Sequence, residues 1–185
     1  MTPAEIEKLV VDRIYEGKSH QEVYDEMNTK FPNREIDLAR IVSKIVSLPQ
    51  RNRYGVHNIV LVVLLSLAIA WRVFFAFRIL EESGIEIFIL AMLFPAAYVV
   101  MIWGVLKWKL ITYNAVGVLG LMGLFKANGL SVVFAINPFA LLPMGMIILG
   151  FFLHAQLGGK YKTASQQYTD AKGQIRARHI IRFTN

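Results

Sequence analysis

The chain has 185 residues, 55% of them hydrophobic and 18% charged, with a formal net charge of +7 and no cysteine. Globular domains run at about 45–50% apolar and about 25% charged, so this balance excludes a disordered tail and most soluble enzymes. The missing cysteines exclude disulfide scaffolds, thiolate metal sites and cysteine nucleophiles. The mean hydropathy is +0.46, and the apolar residues concentrate between Ile59 and Leu157. This is the pattern of an integral membrane protein.

Charge is distributed unevenly. Residues 1–58 hold nine basic and nine acidic side chains, residues 59–157 five and three, and residues 158–185 six and one. The first 15 residues mix acids into a helical pattern and lack the apolar segment of a signal peptide.

Residues 1–50 read as a cytoplasmic module of three short helices. Thr2-Pro3-Ala4-Glu5 offers a cap, a proline in the first turn and a capping-box acid. Ile6, Leu9, Val10 and Ile14 follow at helical spacing, with Gly17 as the stop. Ser19-His20-Gln21-Glu22 is a second capping box, ahead of Val23, Tyr24 and Met27. Phe31-Pro32-Asn33 breaks the pattern, with Asn33 as the next cap. Leu38, Ile41, Val42 and Ile45 form a third stripe that Pro49 ends. About 45 residues make a marginal core alone, so support from the membrane, a partner or another copy is expected. A helix-turn-helix reader of DNA fits poorly, because the net charge is zero and the third helix offers only Arg34, Arg40 and Lys44.

Residues 51–157 read as a four-helix transmembrane bundle, with spans at about Val56–Leu80, Ile85–Leu106, Leu110–Phe125 and Val132–Leu157. Arg51, Arg53, Lys107, Lys109, Lys160 and Lys162 fall on one side of these spans. The positive-inside rule then places both termini in the cytoplasm, as in a multi-pass protein of the inner (plasma) membrane. Tyr54, Trp103, Trp108, Tyr113 and Tyr161 would sit at the cytoplasmic interface.

Arg72 lies roughly 10 Å inside the outer end of the first span. It either snorkels to headgroups or pairs within the membrane; Asn137 and Glu86 are the partners at similar depth, and Ser66 is a further polar position. Gly117, Gly120 and Gly123 would let another helix approach closely, with Gly145 and Gly150 as counterparts. Pro95, Pro138 and Pro143 interrupt spans, and Asn137-Pro138 marks a helix start or kink. His154 is read as interfacial. No catalytic, cofactor-binding or metal-ligating motif is present.

Residues 158–185 form a basic tail. Gly158-Gly159 ends the fourth span, and Lys160, Tyr161 and Lys162 would anchor it. Gln166–Thr169 and Gln174–Phe183 flank the turn-rich Asp170-Ala171-Lys172-Gly173, as in a β-hairpin. Period two places Arg176, Arg178 and Arg182 on one face and Ile175, Ala177, His179, Ile181 and Phe183 on the other. The arginine face suits anionic lipid headgroups, an acidic protein or, through this tail only, nucleic acid.

A helical cytoplasmic module, four spans and a basic tail are together similar to small accessory membrane proteins of bacterial systems, a likeness of plan that assigns no residue a role. The expected function is a non-enzymatic membrane adaptor or effector that self-associates and recruits a cytoplasmic protein. An oligomeric channel lined by Arg72, Asn137 and Ser66 is the alternative, and a small transporter fits less well.

Overall fold

The computed structural model describes residues 3–32, 34–126, 138–169 and 175–184. It is mostly helical, with one two-stranded sheet. Helices α1 (Pro3–Tyr15), α2 (His20–Lys30) and α3 (Glu35–Ser43) open the chain. Gly17 ends the first turn region with a φ of +91°, a conformation costly for any residue with a Cβ. At α2 the capping box is complete: the Ser19 hydroxyl accepts from the Glu22 N–H, and the Glu22 carboxylate accepts from the Ser19 N–H at 2.8 Å. Thr2 and Asn33, expected as caps, lie outside the described residues. The cap position of α3 is Arg34, whose side chain makes no capping hydrogen bond.

Pro49 does not end the third helix. α3 stops at Ser43, and Pro49 sits in the first turn of α4 (Leu48–Ser83), where a missing N–H costs nothing. Gln50 closes that turn, its side-chain oxygen accepting from the Ser47 N–H at 3.1 Å. The polar stretch Gln50–Tyr54 is therefore helical and continues into the apolar segment without a break.

The tail forms strands β1 (Lys160–Thr169) and β2 (Ile175–Thr184). They pair antiparallel with Tyr161 opposite Phe183, Lys162 opposite Arg182 and Tyr168 opposite Arg176. Strand β1 begins six residues before the expected Gln166, so Lys160–Lys162 belong to the ribbon. The hairpin turn at Asp170–Gly173 lies outside the described residues.

Residues 1–52 and 157–185 form one compact unit and residues 53–156 the other. Where the sequence suggests three segments, the first and third share one core. Ile6, Val10 and Ile14 of α1, Val23 and Met27 of α2, and Leu38 and Val42 of α3 are buried together with Ile181 of β2. Phe183 stacks on His20 at 5.8 Å between ring centres and packs against Tyr24 and Tyr161. Its N–H donates to the Gln21 side-chain oxygen at 2.9 Å. The Gly159 N–H donates to the Ser43 carbonyl at 2.9 Å. The apolar row of the ribbon is what completes this small core.

In the second unit, α4 is followed by α5 (Ile85–Leu106), α6 (Leu110–Lys126) and α7 (Pro138–Leu157). Gly84, with a φ of +82°, separates α4 from α5. Lys107-Trp108-Lys109 joins α5 to α6, and the Lys109 N–H donates to the Gly104 carbonyl at 2.9 Å. Among the described residues two helices, α4 and α5, are long and apolar enough to cross a membrane; α6 and α7 contain the shorter apolar stretches Leu110–Leu124 and Leu141–Leu157. Among the described residues two of the four expected spans thus meet the length criterion; the fourth, Val132–Leu157, begins outside the described residues.

An ion-pair cluster ties α1 to α2. The Glu26 carboxylate receives Lys18 at 2.7 Å, Lys30 at 2.8 Å and Arg13 at 3.2 Å. Hydrogen bonds from Lys18, then Lys30, hold its pKa down to about 2. A carboxyl depressed by folding stabilises fully above its unfolded pKa and loses that contribution as pH falls through the folded value. The melting-temperature gap between the wild type and Glu26→Gln should therefore be widest near neutrality and shrink between about pH 5 and pH 2. Thermal melts of the detergent-solubilised chain across that range check this; a gap independent of pH contradicts it.

Candidate functional site

Antiparallel pairing puts directly opposed residues on the same side of the ribbon. Lys160, Lys162 and Arg182 are exposed on one side, and the register brings positions 176 and 178 into the same row. Five basic positions thus share one face, two more than the arginines alone supply. Lys162 stands directly across from Arg182, a like-charge pairing that costs stability. The opposite face carries Tyr161, Ile181 and Phe183, which are packed on the helices. Sequence alternation along β2 separates these two faces. The contribution of Lys160 and Lys162 follows only from the pairing register.

The second unit collects the other polar residues. Arg72 points its guanidinium over the Phe94 ring, 5.4 Å from the ring centre. Among the described residues it has no carboxylate partner; Glu86 is exposed and does not pair with it. Asn137 lies outside the described residues. The Ser66 hydroxyl donates to the Val62 carbonyl of its own helix at 2.9 Å. Arg72 and Ser66 are therefore not gathered into one polar lining.

Arg72 borders a cavity of about 840 Å³ walled by Leu67, Trp71, Phe75, Leu142 and Met146, with Tyr98 and Gly120 also lining it. The walls are almost wholly apolar. That volume lies within the range of small-molecule sites, about 300–1,000 Å³.

A buried polar cluster was not anticipated from the sequence. The Tyr113 hydroxyl donates to the Asn58 side-chain oxygen at 2.7 Å, and Asn58 Nδ2 lies 3.4 Å from the Val105 carbonyl. Tyr113 is wholly buried and Asn58 nearly so. Tyr113, one of the aromatics placed near the cytoplasmic interface by the sequence, joins α6 to α4 and to the end of α5. An asparagine at the head of the apolar run that starts at Ile59 was the available signal, since a buried amide needs a partner. His154 makes a similar bridge from α7, its Nδ1 lying 3.1 Å from the Leu110 carbonyl.

The glycines sort by what a side chain would meet. A Cβ on Gly117 would meet the Phe151 ring at 2.9 Å, and one on Gly120 would meet the Pro143 carbonyl oxygen at 2.8 Å. A Cβ on Gly150 would meet the Gly117 nitrogen and the Tyr113 carbonyl oxygen, both at 2.8 Å. Gly123 has only an ordinary 3.6 Å contact with Pro143, and Gly145 faces Leu64 of α4 rather than α6. Helices α6 and α7 thus touch backbone to backbone at Gly117 and Gly150.

Comparison with protein-family models, curated proteins and solved structures finds no match to this chain. The geometry is therefore the sole basis for a functional reading. The glycine contacts give a paired test. Gly150→Ala should cost about 1–3 kcal/mol, because backbone cannot yield to the added methyl, whereas Gly123→Ala should be close to neutral. Unfolding of the purified protein by a denaturing detergent, followed by circular dichroism, measures both. Equal effects would contradict the packing of α6 on α7.

Proposed function

We propose that this chain is a non-enzymatic integral membrane adaptor, self-associating in the bacterial inner membrane and recruiting an acidic cytoplasmic protein through its basic ribbon. The observation that carries the reading is the ribbon itself. One face completes the core of the helical module, and the other offers a row of cations with no acid in the register beside it. A surface that tolerates Lys162 against Arg182 is suited to a counter-charge from outside.

The membrane part rests on burial as well as composition. A core helix of a soluble protein is mostly buried, whereas only 11% of the apolar window in α5 is buried here. Val100, Leu90 and Leu93 of α5 and Val56 and Ile59 of α4 are exposed, more apolar surface than a soluble monomer leaves in water. Both chain ends contribute to one folded unit, and a folded unit cannot straddle a bilayer. This supports an even number of crossings between residues 53 and 156. Four spans with cytoplasmic termini agree with this, with Lys107 and Lys109 turning on the cytoplasmic side.

The oligomeric channel is less favoured. Ser66 closes on its own helix and the cavity beside Arg72 is apolar, so the described residues supply no continuous polar path. The absence of a catalytic motif in the sequence agrees with a binding role.

Two measurements test the proposal. A single cysteine at Ser83 should react with an impermeant thiol reagent on intact cells, and one at Ser165 should react only after permeabilisation; the reverse would overturn the orientation. Replacing Lys160, Lys162, Arg176, Arg178 and Arg182 by Gln should weaken salt-sensitive cross-linking to the protein partner at least tenfold, with topology and expression unchanged. Cross-linking indifferent to both salt and substitution would refute the adaptor role of the ribbon.

A further inference from the structure

A guanidinium at the rim of an apolar cavity, with no anion beside it among the described residues, points to the chemistry of a ligand. Arg72 is half-buried on α4, and its guanidinium lies over the Phe94 ring with no carboxylate beside it among the described residues. A cation held over an aromatic face keeps its position but not its charge balance, since the ring carries no net charge. Beneath it lies the cavity of about 840 Å³, bounded by Trp71, Phe75, Leu142 and Met146. Such a space repels water, because water needs two to four polar partners. Within a bilayer its filling comes from the lipid that surrounds it.

We infer that this cavity is a binding site for one anionic phospholipid, with the phosphate on Arg72 and an acyl chain along the apolar walls. The inference rests on the membrane part of the function proposed above and extends it to a ligand. Arginine suits the phosphate because its planar fork donates two parallel hydrogen bonds to two oxygens. Charge complementarity selects an anionic lipid over a zwitterionic one, whose own ammonium competes for the phosphate. Three features shape the walls. Gly120 brings α6 close to α7, so that no side chain from that position enters the space. Pro143, inside α7, also borders it. Tyr98, nearly buried on α5, closes one side.

The test uses the full-length chain, purified in mild detergent and presented with phosphatidylglycerol, phosphatidylcholine or inorganic phosphate, with retained lipid counted by native mass spectrometry. The wild type should retain one phosphatidylglycerol and at least tenfold less phosphatidylcholine, and millimolar inorganic phosphate should not displace the lipid. Arg72→Leu should abolish the preference, and Arg72→Lys should keep part of it. Ala70→Phe, which narrows the cavity without touching the charge, should lower retention of the anionic lipid several-fold. Equal retention of both lipids, retention unaffected by Arg72→Leu, or displacement by inorganic phosphate alone would overturn the site. So would a dimer that Ala70→Phe converts to monomer with lipid retention unchanged, which would make the occupant a second copy. Resistance of the wild type and variants to alkaline carbonate extraction reports membrane insertion separately. Release of the wild type would refute the membrane reading, and firm insertion with unselective lipid binding would refute only the site.

Discussion

The docking of strand β2 on the three N-terminal helices is the contact on which the rest of the molecule depends. Ile181 is 3% exposed within the core built by α1, α2 and α3, and Phe183 is held between His20, Tyr24 and Tyr161. Burying a side chain of that size contributes about 1.5–3 kcal/mol, a large share of the stability of so small a core. A module too small to stand securely alone thus takes its support from the far end of its own chain. This places a topological condition on everything between: a chain that crosses a membrane from residue 53 to residue 156 must return to the side it left.

The same docking divides the ribbon by charge. The side that meets the helices is apolar, and the other holds Lys160, Lys162 and Arg182, with positions 176 and 178 in register. Repulsion between Lys162 and Arg182 is tolerable because both are exposed, where a high dielectric keeps the energy of the pair small. Glu26 shows the contrasting case, in which one carboxylate gathers three cations and joins two helices. Within the second unit, buried polar groups are likewise satisfied internally, as at Asn58 and Tyr113. Arg72 stands apart, with a ring contact and no anion beside it among the described residues.

Much of this was legible in local patterns. Helical stripes marked α1, α2 and α3, the Ser19–Glu22 box marked the start of α2, and the bounds of α5 coincide with its apolar run. The alternation at Arg182 and Phe183 gave the two faces of β2, because a period of two is a strong signal over even a few residues. Other features depend on partners remote in sequence. Pro49 reads equally as a helix end or as a first-turn residue, and Ser47 with Gln50 decides for the second. The strand character of Lys160–Lys162 comes from pairing with residues 182–184, so local sequence does not show it. The role of Tyr113 in joining helices depends on Asn58, 55 positions away, which supplies its acceptor. The backbone contact of Gly117 with Gly150 follows from helix placement, which glycine spacing alone does not fix.

Hydrogen–deuterium exchange on the full-length protein tests the shared core most directly. If the two ends form one domain, Ile181→Asp buries a charge among α1, α2 and α3, a change that such cores do not tolerate. Exchange of amides in α2 and α3 should then accelerate at least tenfold, with amides of α5 and α6 unaffected. Protection in α2 and α3 that survives this substitution would show that the N-terminal helices fold without the tail, and would contradict the account.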